Sequence, residues 1–259
     1  MDQILTSKYY ITRTGEFATD ANKKILYIIL ASCLCYHDYI SRNNTEYISI
    51  FIGASLFWIL IELFLNLSKS RIINPMVINF WYGKKINLNT YTSICLQGIQ
   101  EGGVVTIIGL YFGDRFMNLY YQGIFHIIIF YMLGNMIIKK SNLKIRSRRQ
   151  VNTPSSIVIM GSVTLYNFMM SYYYQHHIYR QGYMFISMVY ISTIWTYVSY
   201  YKRFRSVETE ILDIETYKYT IQKHNNTTSF YILTYDVIFE IGIAYVTFYN
   251  LFIIQYPII

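Results

Sequence analysis

The feature that most constrains this chain is a succession of apolar runs separated by short polar and basic stretches. Each run is about 20 residues long, the length a helix needs to cross roughly 30 Å of hydrocarbon at ~1.5 Å per residue. A soluble helical bundle would show a polar face recurring every three or four residues, and these runs have almost none. Composition agrees, with 54% hydrophobic and only 14% charged residues. Seven runs can be placed, at 25–39, 47–67, 91–112, 119–138, 155–174, 183–201 and 229–254. The first is the weakest, being short and interrupted by His37 and Asp38; without it six would remain.

Backbone amides in lipid must be satisfied internally, which leaves helices or a closed barrel. A barrel would need alternating strands of about ten residues, and none are present. The expected fold is therefore all-α: a single integral membrane domain, 1–259, built as a seven-transmembrane-helix bundle. The basic residues set its orientation. Of the 22 Lys and Arg, all but Arg42, Arg115 and Arg180 fall before run one or after runs two, four and six. Positive loops stay cytoplasmic, so the N-terminus is expected inside and the C-terminus outside, a parity that requires an odd number of spans. The same distribution accounts for the net charge of +8 without an acidic partner. The N-terminal stretch lacks the pattern of a cleavable signal peptide, so run one reads as a retained signal anchor. Segment 207–222 places Val207, Ile211, Ile214, Tyr217, Lys218 and Ile221 near helical spacing, and reads as an amphipathic helix on the cytoplasmic surface.

Most familiar chemistries are absent from the pattern. No P-loop, dinucleotide fingerprint, HExxH helix or GxSxG elbow occurs. Cys33, Cys35 and Cys95 lie in apolar runs and read as small hydrophobes; His176-His177, adjacent in an outer loop, reads as solvated. No catalytic residue, no metal and no enzyme activity are expected. The abundant Tyr, Ile and Asn read as a compositional bias, with no nucleic-acid partner. What stands out is a set of ionisable residues inside the runs: Glu62, Glu101, His126, Asp236 and Glu240. A carboxylate in mid-membrane costs a few kcal/mol and is tolerated when it faces the bundle interior, paired, hydrated or protonated. Asp236 and Glu240 lie four apart, on one helical face. Because no Lys or Arg lies inside any run, at least one of these acids is expected to be neutral. Gln97, Trp195 and Tyr166 complete the candidate pocket. The set reads equally as a ligand, proton or ion site and as hydrogen bonding that fixes helix packing.

Several stretches resemble heliorhodopsins, the microbial rhodopsins whose N-terminus is cytoplasmic. Ile124-Phe125 through Met132-Leu133-Gly134 to Lys139-Lys140 looks like the family's fourth helix and basic exit. Pro154 with Met160-Gly161-Ser162-Val163 is similar to its fifth, Gln181-Gly182-Tyr183 with Val198-Ser199-Tyr200 to its sixth, and Tyr231-Ile232-Leu233 with Ile243-Ala244-Tyr245 to its seventh. The resemblance implies a rhodopsin-like scaffold in which retinal would be bound through a seventh-helix lysine and stabilised by a third-helix glutamate. The position matching that lysine is Glu240 or a close neighbour, and a carboxylate cannot form an imine. The counterion position matches Glu101, or Gln97 if no gap is allowed; a family histidine in helix two matches Leu65. The first outer loop, which helps the family dimerise, is here only residues 36–46, so a homodimer is left open.

The resemblance thus implies the scaffold without its photochemistry: no covalent cofactor, and retinal not expected because no run contains a lysine. The leading expectation is a receptor or regulatory scaffold with a central pocket, in contact with the lipid bilayer and taking a small apolar ligand or an ion. The alternative is a transporter, channel or proton-conducting protein that uses Glu62, Glu101, Asp236 and Glu240. A third is a structural membrane partner with no ligand. Which membrane holds it is not written in the sequence.

Overall fold

Asp20 opens the first helix. Its carboxylate accepts from the Asn22 amide at 3.1 Å, and α1 runs over Ala21–Arg42 to Asn43. Asn43 takes the left-handed conformation (φ 51°) and returns its N–H to the Tyr39 carbonyl at 2.8 Å. Helix α1 therefore starts before run one and takes Lys23 and Lys24 into its first turn. The structure is a computed structural model that describes residues 8–14, 20–67, 73, 75–115, 120–124, 126–128, 145–151, 153–213, 218–224 and 226–252.

Five further long helices follow: α2 (Glu46–Leu67), α3 (Thr90–Arg115), α4 (Pro154–Tyr173), α5 (Ile178–Tyr201) and α6 (Asn226–Phe252). Asn89 caps α3 by accepting from the Thr92 amide at 2.7 Å, and Pro154 opens α4 at the one position where its missing N–H costs nothing. Residues 120–124 and 126–128, in run four, are helical, and the rest of that run lies outside the described residues. By length and composition α2, α3 and α6 can cross a membrane. Helices α1, α4 and α5 have 22, 20 and 24 residues, but α1 carries charge and the other two are rich in Tyr and Ser.

Both α3 and α6 contain an internal π-helical segment, Ile99–Val104 in the first and Asp236–Ile243 in the second. In α3 the register shift is visible in the Val105 amide, which reaches back five residues to the Gln100 carbonyl. The bundle core joins Tyr27, Ala31 and Cys35 of α1 to Tyr47, Ile50 and Ala54 of α2, Ile107, Leu110 and Phe112 of α3, Met184 and Met188 of α5, and Tyr245, Phe248 and Tyr249 of α6.

The connecting segments form sheets. Strands β1 (Lys8–Thr14), β4 (Ile145–Val151), β5 (Arg205–Asp213) and β6 (Lys218–Lys223) make a four-stranded antiparallel sheet in the order β4-β1-β5-β6. Strands β2 (Val77–Asn79) and β3 (Lys85–Asn87) form a separate hairpin between α2 and α3. Ile11 sits opposite Arg149 on one side and Val207 on the other. Tyr9, Ile11, Val151 and Val207 pack on Leu233 of α6, bordered by Tyr197 and Tyr200 of α5, so the larger sheet covers one end of those helices.

Residues 207–213 and 218–222 are therefore strand, in β5 and β6, rather than parts of an amphipathic helix, and 214–217 lie outside the described residues. The residues that suggested a helix also alternate over Val207-Glu208-Thr209-Glu210-Ile211, and β1 offers an edge for β5 to pair with. Arg203 supplies the turn from α5 into β5 in the left-handed conformation, φ 63°.

Candidate functional site

Close approach of α3 to α2 builds the first centre. A side chain at Gly102 would collide with the Ala54 carbonyl oxygen and the Trp58 side chain, so only glycine lets the two backbones meet there. The contact brings the Trp58 indole N–H to within 3.3 Å of Glu101 Oε2. Glu101 lies inside the first π-helical segment, and its backbone carbonyl accepts from the Tyr245 hydroxyl of α6.

Lys24 points into the same place from the first turn of α1. It is 2% exposed and donates to Gln97 Oε1 at 2.6 Å and to Gln100 Oε1. The other end of the Gln97 amide donates to Glu101 Oε1. Gln97 is thus polarised between an ammonium and a carboxylate, an arrangement that fixes which end of its amide is oxygen. Lys24 precedes run one in the sequence, yet in the structure it belongs to α1 and is buried, so a cation from outside the runs enters this centre.

The second centre also takes its cation from outside the runs. Asp236 opens the π-helical segment of α6 and is 1% exposed. Arg205, the first residue of β5, reaches it at 3.2 Å and also donates to Thr196 Oγ1 of α5 at 2.6 Å. Arg205 thus gives the buried Asp236 carboxylate a charged partner from outside α6. Glu240 is half-buried in the same π-helical segment.

The remaining predicted residues are dispersed. Glu62 is fully buried on α2. Trp195 packs against the bundle core one residue before Thr196. Tyr166 lines a shallow, open depression of about 280 Å³ between α4 and α6, with Ser162, Val163, Thr247 and Leu251. His126 is exposed and meets the Tyr190 hydroxyl at 2.9 Å. Glu101 with Gln97 and Asp236 with Arg205 thus occupy two centres, each built around one π-helical segment. Among the described residues no group of three or more His, Cys, Asp or Glu could hold a metal ion.

A third constellation went unread in the sequence. At the end of the helices away from the sheet, Arg42, Arg115 and Arg180 meet Asp38, Glu46 and Asp114. Arg180 is the node, forking onto Glu46 at 2.6 and 2.9 Å and onto Asp114 at 2.7 and 2.8 Å. Arg42 bridges Asp38 and Asp114, each at 2.7 Å, and Arg115 reaches Asp38 at 3.0 Å. The Tyr47 hydroxyl donates to Asp114 at 2.6 Å. Beside the network His177, 2% exposed, takes a 2.6 Å hydrogen bond between its Nδ1 and the buried Tyr249 hydroxyl. Burial holds His177 below the ordinary histidine value, the neighbouring His176 and Arg180 add to this, and Glu46 opposes it. His177 is therefore buried, with its neutral form favoured, and not solvated. Spacing alone cannot find this cluster, because its members come from α1, α2, α3 and α5; the available signal is that two of the three arginines off the basic loops have an acid close in sequence, Asp38 four before Arg42 and Asp114 beside Arg115.

Compared with protein-family models, with curated proteins and with solved structures, the chain gives no match.

Proposed function

We propose that the chain is a multi-pass membrane protein of seven spans with a cytoplasmic N-terminus, similar in scaffold to heliorhodopsins, and that it works as a non-photochemical receptor or regulatory scaffold. Support for the orientation comes from the two ends of the bundle. The described strands precede the first helix or join helices at one end, the end rich in basic residues, and Arg42, Arg115 and Arg180 gather at the other.

The observation that carries the receptor reading is the Arg205–Asp236 pair. Asp236 belongs to a π-helical segment, a helix irregularity often found at functional sites, and its partner is the first residue of an inner strand of the sheet. A change in α6 at that level moves the partner of a sheet residue, so the bundle and the sheet respond together. Hydrogen exchange on the full chain in nanodiscs tests this. Asp236→Asn should raise exchange at β1 and β5 by tenfold or more while leaving the α2–α3 contact protected; an unchanged sheet would remove the coupling on which the reading rests.

A second reading, proton conduction or ion-coupled transport, is favoured by the Lys24–Gln97–Glu101 chain. Proteoliposomes separate the two. The receptor reading expects no proton flux above protein-free vesicles, whereas a flux abolished by Glu101→Gln would establish the second. Neither reading includes enzymatic activity or a covalent cofactor. All-trans retinal should give no red-shifted band, because Glu240 stands at the position where the resemblance would need an amine; a borohydride-trapped adduct on Lys24 would reverse that expectation.

A further inference from the structure

The hairpin between α2 and α3 carries Phe80-Trp81-Tyr82-Gly83-Lys84-Lys85 around its tip. Trp81 is 98% exposed and Tyr82 65% exposed, and the Phe80 and Tyr82 rings lie 5.4 Å apart. Lys84 and Lys85 are exposed as well. The tip is held in shape. The Gly83 N–H donates to the Phe80 carbonyl at 3.0 Å, the Phe80 N–H donates to the Lys84 carbonyl at 2.9 Å, and Gly83 takes φ 84°, a conformation that suits glycine. A rigidly presented cluster of large aromatic side chains with no protein cover is the exposed apolar feature that calls for a partner.

The base of the hairpin fixes its depth. Ile73 and Met76 are buried with Ala21 of α1 and Ile94 of α3, bordered by Leu63 of α2 and Leu96 of α3. The Met76 amide donates to Ser93 Oγ at 2.9 Å, and the Asn22 side chain pairs with both the N–H and the C=O of Asn79 at 2.8 Å. Leu63 and Ile94 lie about one turn, ~6 Å, inside the ends of α2 and α3, both long and apolar enough to span a membrane. The hairpin therefore starts below the helix ends. Each of its strands has three residues, on the order of 10 Å of chain, so the tip stays near the polar layer that flanks the hydrocarbon core by roughly 5–8 Å on each side.

We infer that this hairpin tip is a lipid-binding element that seats Trp81 and Tyr82 among phospholipid headgroups and binds anionic headgroups through Lys84 and Lys85. Trp and Tyr suit that layer because their rings are apolar and their N–H or O–H remains hydrogen-bonded. The lysines supply charge complementary to the phosphate and carboxylate of a lipid such as phosphatidylserine. The inference needs a bilayer around α2 and α3, and it stands or falls independently of the receptor reading.

The test uses the full chain in nanodiscs of phosphatidylcholine with and without phosphatidylserine, and takes the emission difference between the native protein and Trp81→Phe to isolate Trp81 from Trp58 and Trp195. Trp81 is exposed, so Trp81→Phe leaves the fold intact. The Trp81 component should be blue-shifted, quenched more strongly by lipids spin-labelled near the headgroup than by lipids labelled near the chain end, and protected from aqueous acrylamide. Energy transfer from Trp81 to dansyl-phosphatidylserine should exceed transfer to dansyl-phosphatidylcholine, and Lys84→Gln with Lys85→Gln should reduce that preference by on the order of fivefold per lysine. Soluble glycerophosphoserine at the same concentration should not compete. A red-shifted Trp81 quenched by acrylamide and untouched by lipid labels would overturn the inference. So would a preference for phosphatidylserine that survives the double substitution, or one abolished by the soluble headgroup.

Discussion

Arg180 offers the sharpest test of how the bundle is closed at the end away from the sheet. Its guanidinium makes four charge-assisted contacts of 2.6–2.9 Å, two to Glu46 and two to Asp114, and its side chain is 19% exposed against 10% and 9% for its partners. Burial on this scale means the network is only partly screened by solvent. Removing one partner of a buried ion pair costs about 3–5 kcal/mol, because the remaining charge is stranded. Arg180→Met should fall in that range even though Asp114 keeps Arg42 and Tyr47, because Glu46 loses both contacts to Arg180. Arg180→Lys keeps the charge but can make only point contacts, so about 1–2 kcal/mol should be lost. Arg180→Met combined with Glu46→Gln should be less damaging than the sum of the single changes by ~1–3 kcal/mol, since the stranded carboxylate is gone. Equilibrium unfolding in mixed micelles by added dodecyl sulfate, followed by tryptophan emission, measures the native protein, the three single variants and the double variant. A loss below about 1 kcal/mol for Arg180→Met would mean the cluster behaves as a solvated surface pair, and the argument from burial would be wrong.

Three further outcomes follow from the same geometry. Lys24→Met should destabilise the chain by about 3–5 kcal/mol, and adding Glu101→Gln should recover a good part of this, because Gln97 links the two charges; strictly additive losses would show that they do not communicate. Because burial lowers His177, the unfolded chain binds the proton that the folded chain refuses; its contribution to stability is full above a pH near 6.5 and is lost as pH falls through the lowered folded value. His224 is lowered by burial as well and adds in the same direction, so His177→Gln should flatten the acid side of the stability profile only in part, and an unchanged profile would rule His177 out. Finally, cysteine labelling in intact membranes should place Lys144 and Arg148 on the side opposite the exposed Asn44 and His176; labelling of all four from one side would defeat the odd-span orientation.

The parts of the fold written in the sequence are those that lipid dictates. Runs two, three and seven stand out because about 20 consecutive apolar residues serve one purpose, and α2, α3 and α6 are the helices that meet that standard. The sheet is a different matter. Tyr9 pairs with Val151 and with Thr209, so its strands come from loops far apart in the chain, and no local window contains both halves of any pairing except β5 with β6. In that one hairpin the alternating pattern over 207–211 was present and competed with a helical spacing; pairing to β1 decided it. The π-helical segments were also beyond a periodicity argument, since a one-residue insertion in hydrogen-bond register leaves the hydropathy of a run unchanged. Glu101 and Asp236 could be named because a carboxylate in an apolar run is conspicuous, but their being in separate centres depended on partners from other elements.

Those partners explain why the charge balance of the interior was misread. Hydropathy assigns a residue to a side by the position of its backbone, whereas Lys and Arg carry their charge several ångströms away at the end of an apolar stem. Lys24 belongs to the first turn of α1 and Arg205 to the start of β5, both at the sheet end, yet each places its cation against the acid of a π-helical segment or the amide that bonds it. The residues that read as topology signals are therefore also counter-charges of the interior. The two roles constrain each other. A substitution that moved Lys24 or Arg205 to neutral would weaken the basic-residue bias from which the orientation is proposed and at the same time leave a carboxylate centre short of its cation, so the proposed orientation and the interior electrostatics are tested together.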